Sequence, residues 1–297
     1  VMSRVLHVLS QRPSLTGSGV TLSALAQQAA GRGWVQHAVC GVPAGEPLPE
    51  LPGLTRRQLS PLEFGGAPLD FPVPGMSDVM PYRSTRFSSM TDAQWQAYRD
   101  AWAHHLGAVV DDFRPDLIHS HHLWLVSSLL KTIAPDLPVV TQCHATGLRQ
   151  MELCPDRAKR IREDVARNDR FLALHRGDAD RIERALNVDA SRVHVVGAGY
   201  REDLFHGRGR TDHIVPRLIY VGKYSKAKGL PQLLDAMGRL GPRRDRLQLD
   251  VVGAGSGPEA AELEQRMRSM PNVILHCLLN QEQLSERFRA ASICVLT

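Results

Sequence analysis

The chain has 297 residues, 43% hydrophobic and 23% charged, with 36 Lys and Arg against 31 Asp and Glu for a formal net charge of +5. That length allows two α/β domains with full cores, and the composition excludes extensive disorder. The positive balance suits an anionic ligand or an anionic membrane surface; no aromatic–basic nucleic-acid motif is present, so no nucleic-acid partner is expected.

In chain order, residues 4–10, RVLHVLS, read as a first strand too short for a signal-peptide core. No apolar run reaches membrane-spanning length, so a cytoplasmic protein is expected. SLTGSGV follows as a loop with Gly17 and Gly19, then a helix with Leu22, Leu25, Ala26 and Ala29 on one face. The loop reads either as a tight strand-to-helix turn or as a place where bare backbone approaches a ligand. It lacks the third glycine of a dinucleotide fingerprint. Residues 35–41 form a second strand, and residues 43–81 are rich in Pro and Gly with little periodicity, either a functional flap or several short elements. Thr91 and Gln94 make a capping-box pair opening a helix whose buried face is Trp95, Tyr98, Trp102, Val109 and Phe113.

Residues 116–122, DLIHSHH, are a strand running into a histidine cluster at the sheet's carboxyl edge, where sites form. The histidines read as metal ligands lacking an evident third member, as satisfied structural groups, or as part of a ligand cleft. VVTQCHATG, residues 139–147, is another strand with His144 at its tip. Cys143 is its neighbour but points to the opposite face, so a thiol–imidazole nucleophile is discounted. The five cysteines are scattered without a CxxC pair and indicate neither a zinc site nor a disulfide framework. The charged helix RAKRIREDVARNDR is a solvated or membrane-surface face. A strand at 170–175, a helix through Ile182 and Leu186, and a strand at 193–197 follow, and GRGRTD at 207–212 reads as the interdomain linker.

Residues 217–237, RLIYVGKYSKAKGLPQLLDAM, join an apolar strand, a cationic glycine-bounded loop and an amphipathic helix. That is how an α/β protein builds an anion site at the carboxyl end of its sheet; the competing reading is a solvated lysine loop. Residues 247–252 are a strand, Gly253, Gly255 and Gly257 a loop, and Pro258 with Glu259 a helix start. A strand at 272–279 precedes a helix capped by Asn280, and the final ASICVLT begins another strand.

VGKYSKAKGLPQLLDA resembles the signature of retaining glycosyltransferases of family 4, also called group 1, and the resemblance extends in order over nearly the whole chain. It implies a GT-B fold: two doubly wound parallel sheets, Rossmann-like, facing across a cleft, as an acceptor-side domain at 1–206 and a nucleotide-sugar domain at 207–297. By motif, Lys223 and Lys228 hold the donor's diphosphate. The family usually has Arg at the first of these, and lysine substitutes a point charge for the bidentate fork. Gly19, Gly222, Gly253 and Gly255 correspond to close-approach glycines of the donor site, and the backbone at Leu278 and Leu279 to the nucleobase edge. His121 matches the second histidine of the family's HxH, lining the catalytic cleft, and His144 faces its acceptor side. Tyr82, Arg83 and Arg86 are candidate acceptor contacts. In VGAGYREDLF, Tyr200 and Arg201 replace the family's usual Gly-Val-Asp pattern.

The resemblance implies transfer of a sugar from a nucleoside-diphosphate-sugar to a glycan or lipid-linked acceptor with retention, in polysaccharide or glycolipid assembly. No cofactor or metal is expected, and contact with the membrane's inner face would be peripheral. A sugar-nucleotide 2-epimerase-like isomerase and an inactive nucleotide-binding fragment are the alternatives. In the family the last strand runs into a segment with two glutamates; the chain ends at Thr297 within that strand. The expectation is therefore a chain cut short in its second domain and unable by itself to transfer sugar.

Overall fold

The computed structural model describes all residues except 1, 2, 14, 15, 78, 79, 81, 210–214, 241–245 and 256. Two units emerge, Val1–Gly199 and Tyr200–Thr297. The first holds β1 (Arg4–Leu9), α1 (Gly17–Gly31), β2 (Val35–Pro43), β3 (Leu59–Phe64), β4 (Pro74–Gly75), β5 (Thr85–Arg86) and α2 (Asp92–Phe113). It continues with β6 (Leu117–His121), α3 (Leu125–Ile133), β7 (Val139–Gln142), α4 (Thr146–Leu153), α5 (Pro155–Val165), β8 (Arg170–Ala173), α6 (Arg176–Leu186) and β9 (Val193–Val195). Its main sheet is parallel throughout, in the order β3-β2-β1-β6-β7-β8-β9. The order reverses between β1 and β6, so the loops leaving those strands open the crevice where α/β sheets bind ligands.

Local sequence explains most of these elements. Thr91 and Gln94 form the capping box that starts α2, and Trp95, Tyr98, Trp102, Leu106 and Val109 are its buried stripe. Edge-to-face ring contacts of Trp95 and Phe87 with Trp124, at 5.9 and 5.7 Å, carry that stripe onto the segment before α3. In α5 only Ala158, Ile161 and Val165 are buried, so its charges face outward.

Two expectations about α1 change, and the Pro- and Gly-rich region resolves into several short elements. Gly17 and Gly19 lie in the first turn of α1, because the Thr16 hydroxyl caps the helix by accepting from Gly19 N at 3.1 Å. A Cβ on Gly19 would lie 1.4 Å from the Pro13 carbonyl oxygen, so the chain's own backbone demands this glycine. Leu25 is exposed at 39%, leaving Leu22 and Ala26 to dock α1. The Pro- and Gly-rich region contains β3, which pairs with β2 over six positions despite Pro61; proline is tolerated on such an edge strand. Ser14, Leu15, Pro81 and residues 210–212 of the expected linker lie outside the described residues.

The second unit contains β10 (Arg217–Val221), α7 (Leu230–Arg239), β11 (Gln248–Val252), α8 (Pro258–Arg268), β12 (Val273–His276), α9 (Gln281–Ala290) and β13 (Ile293–Cys294). The sheet is again parallel, in the order β12-β11-β10-β13, with its reversal between β10 and β13. Leu230, Leu233, Leu234 and Met237 are the buried face of α7, as their spacing predicts. The domain boundary falls at 199/200 instead of 206/207. Phe205 packs edge-to-face on Phe288 of α9 at 5.8 Å, which assigns residues 200–206 to the second unit. Both units are Rossmann-like. Among the described residues no helix is long and apolar enough to cross a membrane.

Candidate active site

In the first unit, β1 and β6 bring histidines together at the point of reversal. His7 lies opposite His119 in the parallel register, and His119 and His121, two residues apart, share a sheet face. Ser120 points the other way, to the Thr141 hydroxyl at 2.8 Å. His7 Nδ1 is 3.2 Å from His119 Nδ1, and the His119 and His121 ring centroids are 4.6 Å apart. The row reaches His144, whose Nε2 is 2.9 Å from His121 Nδ1 with the rings stacked. His122 Nδ1 meets the Thr146 hydroxyl at 2.9 Å. β7 ends at Gln142, so His144 sits on a turn beyond the strand. Ala145 and His122, at φ 61° and 71°, bend the two loops towards one another in a conformation that non-glycine residues rarely adopt.

The tautomers in this row follow from its far end. Gln36 Nε2 donates to the Ala26 carbonyl at 2.9 Å, which turns its Oε1 to His7 Nε2 at 3.0 Å. An amide oxygen only accepts, so His7 carries its proton on Nε2. Its Nδ1 is then an acceptor, and His119 donates from Nδ1.

Burial is the main reason every member stays neutral. It holds His7 below its ordinary value, takes His119 to about 3, with the neighbouring His7 and His144 adding to the effect, and takes His144 to about 4. His121 and His122 are also pushed well down by burial and then by adjacent imidazoles. His121, 2% exposed, has an enclosed Nε2 with no hydrogen-bond partner among the described residues. Leaving such a group unmet costs about 1–3 kcal/mol, so the arrangement favours a ligand hydroxyl there. Among the described residues no three His, Cys, Asp or Glu side chains are arranged to hold a metal ion. Burial raises the Cys143 thiol to about 11, unsuited to nucleophilic chemistry near neutrality.

In the second unit, Gly222 ends β10, Lys223 and Lys228 are exposed on the following loop, and Gly229 caps α7 at φ 65°. The loop's backbone is held from several sides. The Tyr220 hydroxyl donates to the Lys223 carbonyl at 3.1 Å, Thr297 Oγ1 donates to the Lys228 carbonyl at 2.5 Å, and Lys226 N donates to Glu259 Oε1 at 2.5 Å. The β11–α8 loop packs directly beneath. Tyr224 N donates to the Ala254 carbonyl at 3.1 Å, and a Cβ on Gly253 would stand 2.0 Å from the Gly222 carbonyl oxygen. Gly255 is enclosed in the same way by Tyr224 and Ala260. The two glycine loops thus form one unit of backbone beside two exposed ammonium groups at the carboxyl end of the sheet.

The remaining candidates are more dispersed. Leu278 and Leu279 follow β12; Leu278 is 68% exposed, while Leu279 packs against the core of Ile219 and Val252. Arg83 and Arg86 are exposed before α2, and Tyr82 is half-buried, its hydroxyl pushed upward by burial. His7 and Gln36 were not singled out in the sequence; their signal was only a polar residue inside each of two apolar strands.

The family model for the glycosyl transferase 4-like domain matches residues 16–199, and that for glycosyl transferases group 1 matches residues 215–297. The chain belongs to the group 1 glycosyltransferases. No curated protein matches its sequence. Among solved structures, this glycosyltransferase is similar to sucrose-phosphate synthase from Thermosynechococcus elongatus at TM-score 0.70 and 15% identity, over 99% of this chain and 75% of that one. It is also similar to the lipopolysaccharide outer core galactosyltransferase WaaB (TM-score 0.64, 11% identity, 99% and 74% covered). Anabaena HepE, solved with UDP and glucose, gives TM-score 0.61 and 14% identity over 99% and 74%. At these identities the likeness is one of fold.

Proposed function

We propose that this glycosyltransferase moves a sugar from a nucleoside-diphosphate-sugar to a glycan or lipid-linked acceptor, with retained anomeric configuration. The observation that carries the reading is the paired glycine loop after β10 and β11, with Lys223 and Lys228 exposed beside it. Negative charge develops on the diphosphate as the sugar leaves. Cations fixed at a helix start stabilise that charge more in the transition state than in the bound donor. HepE, solved with UDP and glucose, supports a donor of this class.

In the first unit, neutral His121 holds a sugar hydroxyl through the Nε2 atom that the fold leaves unmet, and its bond to His144 fixes the ring. Tyr82, Arg83 and Arg86 contact the acceptor, and Leu278 with Leu279 borders the base. No protein nucleophile is assigned. The net charge of +5 supports a cytoplasmic protein touching the anionic inner face of a membrane.

The test incubates the full-length protein with a panel of nucleoside-diphosphate sugars and glycan acceptors and follows products by mass spectrometry. A new glycosidic bond with the donor's anomeric configuration supports the reading. A rearranged nucleotide-sugar formed without acceptor would replace it with the isomerase.

A further inference from the structure

A second cationic site lies in the first unit. Helices α4, α5 and α6 border an open pocket of about 340 Å³ lined by Arg162, Arg181 and Arg184, with Glu152 as its one acidic residue. Leu148 and Met151, at 4% and 1% exposure, give it an apolar wall.

Two of the three guanidinium groups have no acidic partner among the described residues, and the third is held only loosely. Arg162 Nε is enclosed and has no hydrogen-bond partner, and neither Arg162 nor Arg184 makes an ion pair among the described residues. Arg181 lies 3.7 Å from Glu152 and 3.8 Å from Asp178, too far for a good hydrogen bond to either. An arginine N–H removed from water and left unmet is a cost that folded proteins rarely carry without a compensating ligand. Three arginines against Glu152 and the neighbouring Asp178 leave a positive balance of one, which favours an anion such as a phosphate monoester. The planar guanidinium also suits phosphate oxygens geometrically.

We propose that this pocket binds a phosphate group, with Arg162 as its inner contact, Arg181 and Arg184 closing on the outer oxygens, and the Leu148–Met151 wall taking the attached group. The site is independent of the diphosphate loop, which belongs to the other unit. A soluble sugar phosphate and an anionic lipid headgroup share this chemistry.

The experiment titrates the protein, already saturated with UDP so that the lysine loop is occupied, at constant ionic strength. The probes are inorganic phosphate, glucose 6-phosphate, and vesicles of phosphatidylcholine with or without phosphatidic acid. Arg162→Gln should weaken phosphate binding by roughly ten- to a hundredfold, the loss of one charge-assisted contact. Arg184→Gln, at an exposed position, gives a second measurement independent of whether the first variant folds. Glucose 6-phosphate bound in preference to vesicles identifies a soluble ligand; binding confined to phosphatidic-acid vesicles identifies a headgroup. Wild-type binding no stronger than that of chloride, or wild-type affinity retained by the folded variants, overturns the proposal.

Discussion

His7 and His119, on neighbouring strands and far apart in sequence, share a hydrogen bond of 3.2 Å between their Nδ1 atoms. His7, the acceptor, must be neutral for the bond to exist, and burial keeps both rings so. As pH falls below about 6.5, the unfolded chain takes up protons that the folded chain refuses, until about 4 for His144 and about 3 for His119. Stability is therefore fully present above pH 6.5 and declines below it, by about 1.4 kcal/mol per pH unit for each proton of difference. Urea unfolding at pH 7, 6 and 5 should show this decline, and His119→Gln should make it shallower. A profile flat across that range would mean these imidazoles are charged or solvated.

The lysine loop gives a binding prediction. Lys228→Ala should weaken UDP binding by roughly ten- to a hundredfold, as one charge-assisted phosphate contact is lost. Thr297 and Tyr220 still hold the loop's carbonyls, so the change should be confined to the side chain. Lys228→Arg keeps the charge and should retain most of the affinity. Calorimetric titration decides, and unchanged affinity in the alanine variant would reduce the loop to a solvated turn.

If His121 holds a sugar hydroxyl as proposed, His121→Ala should lower turnover while leaving UDP affinity near wild type. Loss of both together would place the effect in folding or in the donor site. Recovery of activity by added zinc would favour a metal-ligand role instead.

Gly253→Ala should cost about 1–3 kcal/mol of stability and weaken UDP binding, since its φ of 151° and the Gly222 carbonyl 2.0 Å from the new methyl both oppose it. Gly238→Ala is the control. It meets open space within α7 and should stabilise by about 0.4–1 kcal/mol. Equal Tm shifts in the two variants would show that the glycine loops are not in contact.

What the sequence disclosed was what short-range pattern determines. The α7 stripe, the capping box of α2 and the proline start of α8 each rest on residues a turn apart, and each stands where it was expected. His121 and His144 each stood at the end of a strand in the sequence, but their hydrogen bond emerges only from the pairing of β6 with β7. His7 escaped notice because its partners come from β2 and β6, distant in sequence, and nothing in RVLHVL marks the histidine as part of a row. The two glycines of SLTGSGV read as a loop in sequence, whereas the Thr16 cap and the nearby Pro13 carbonyl place Gly19 in a helical turn. β3 was hidden by Pro61, a residue that argues against strands everywhere except at an edge.

That proline has a consequence for how molecules of this protein meet in solution. β3 is the outermost strand of the described seven-stranded sheet, and a backbone rim of this kind invites another chain to lengthen the ladder. Pro61 leaves the rim one amide proton short, so an incoming strand would face a gap in its hydrogen-bond register. The position that obscured the strand thus also makes it a poor template for self-association, and replacing Pro61 with a β-branched residue would be expected to lower colloidal stability before it changed catalysis.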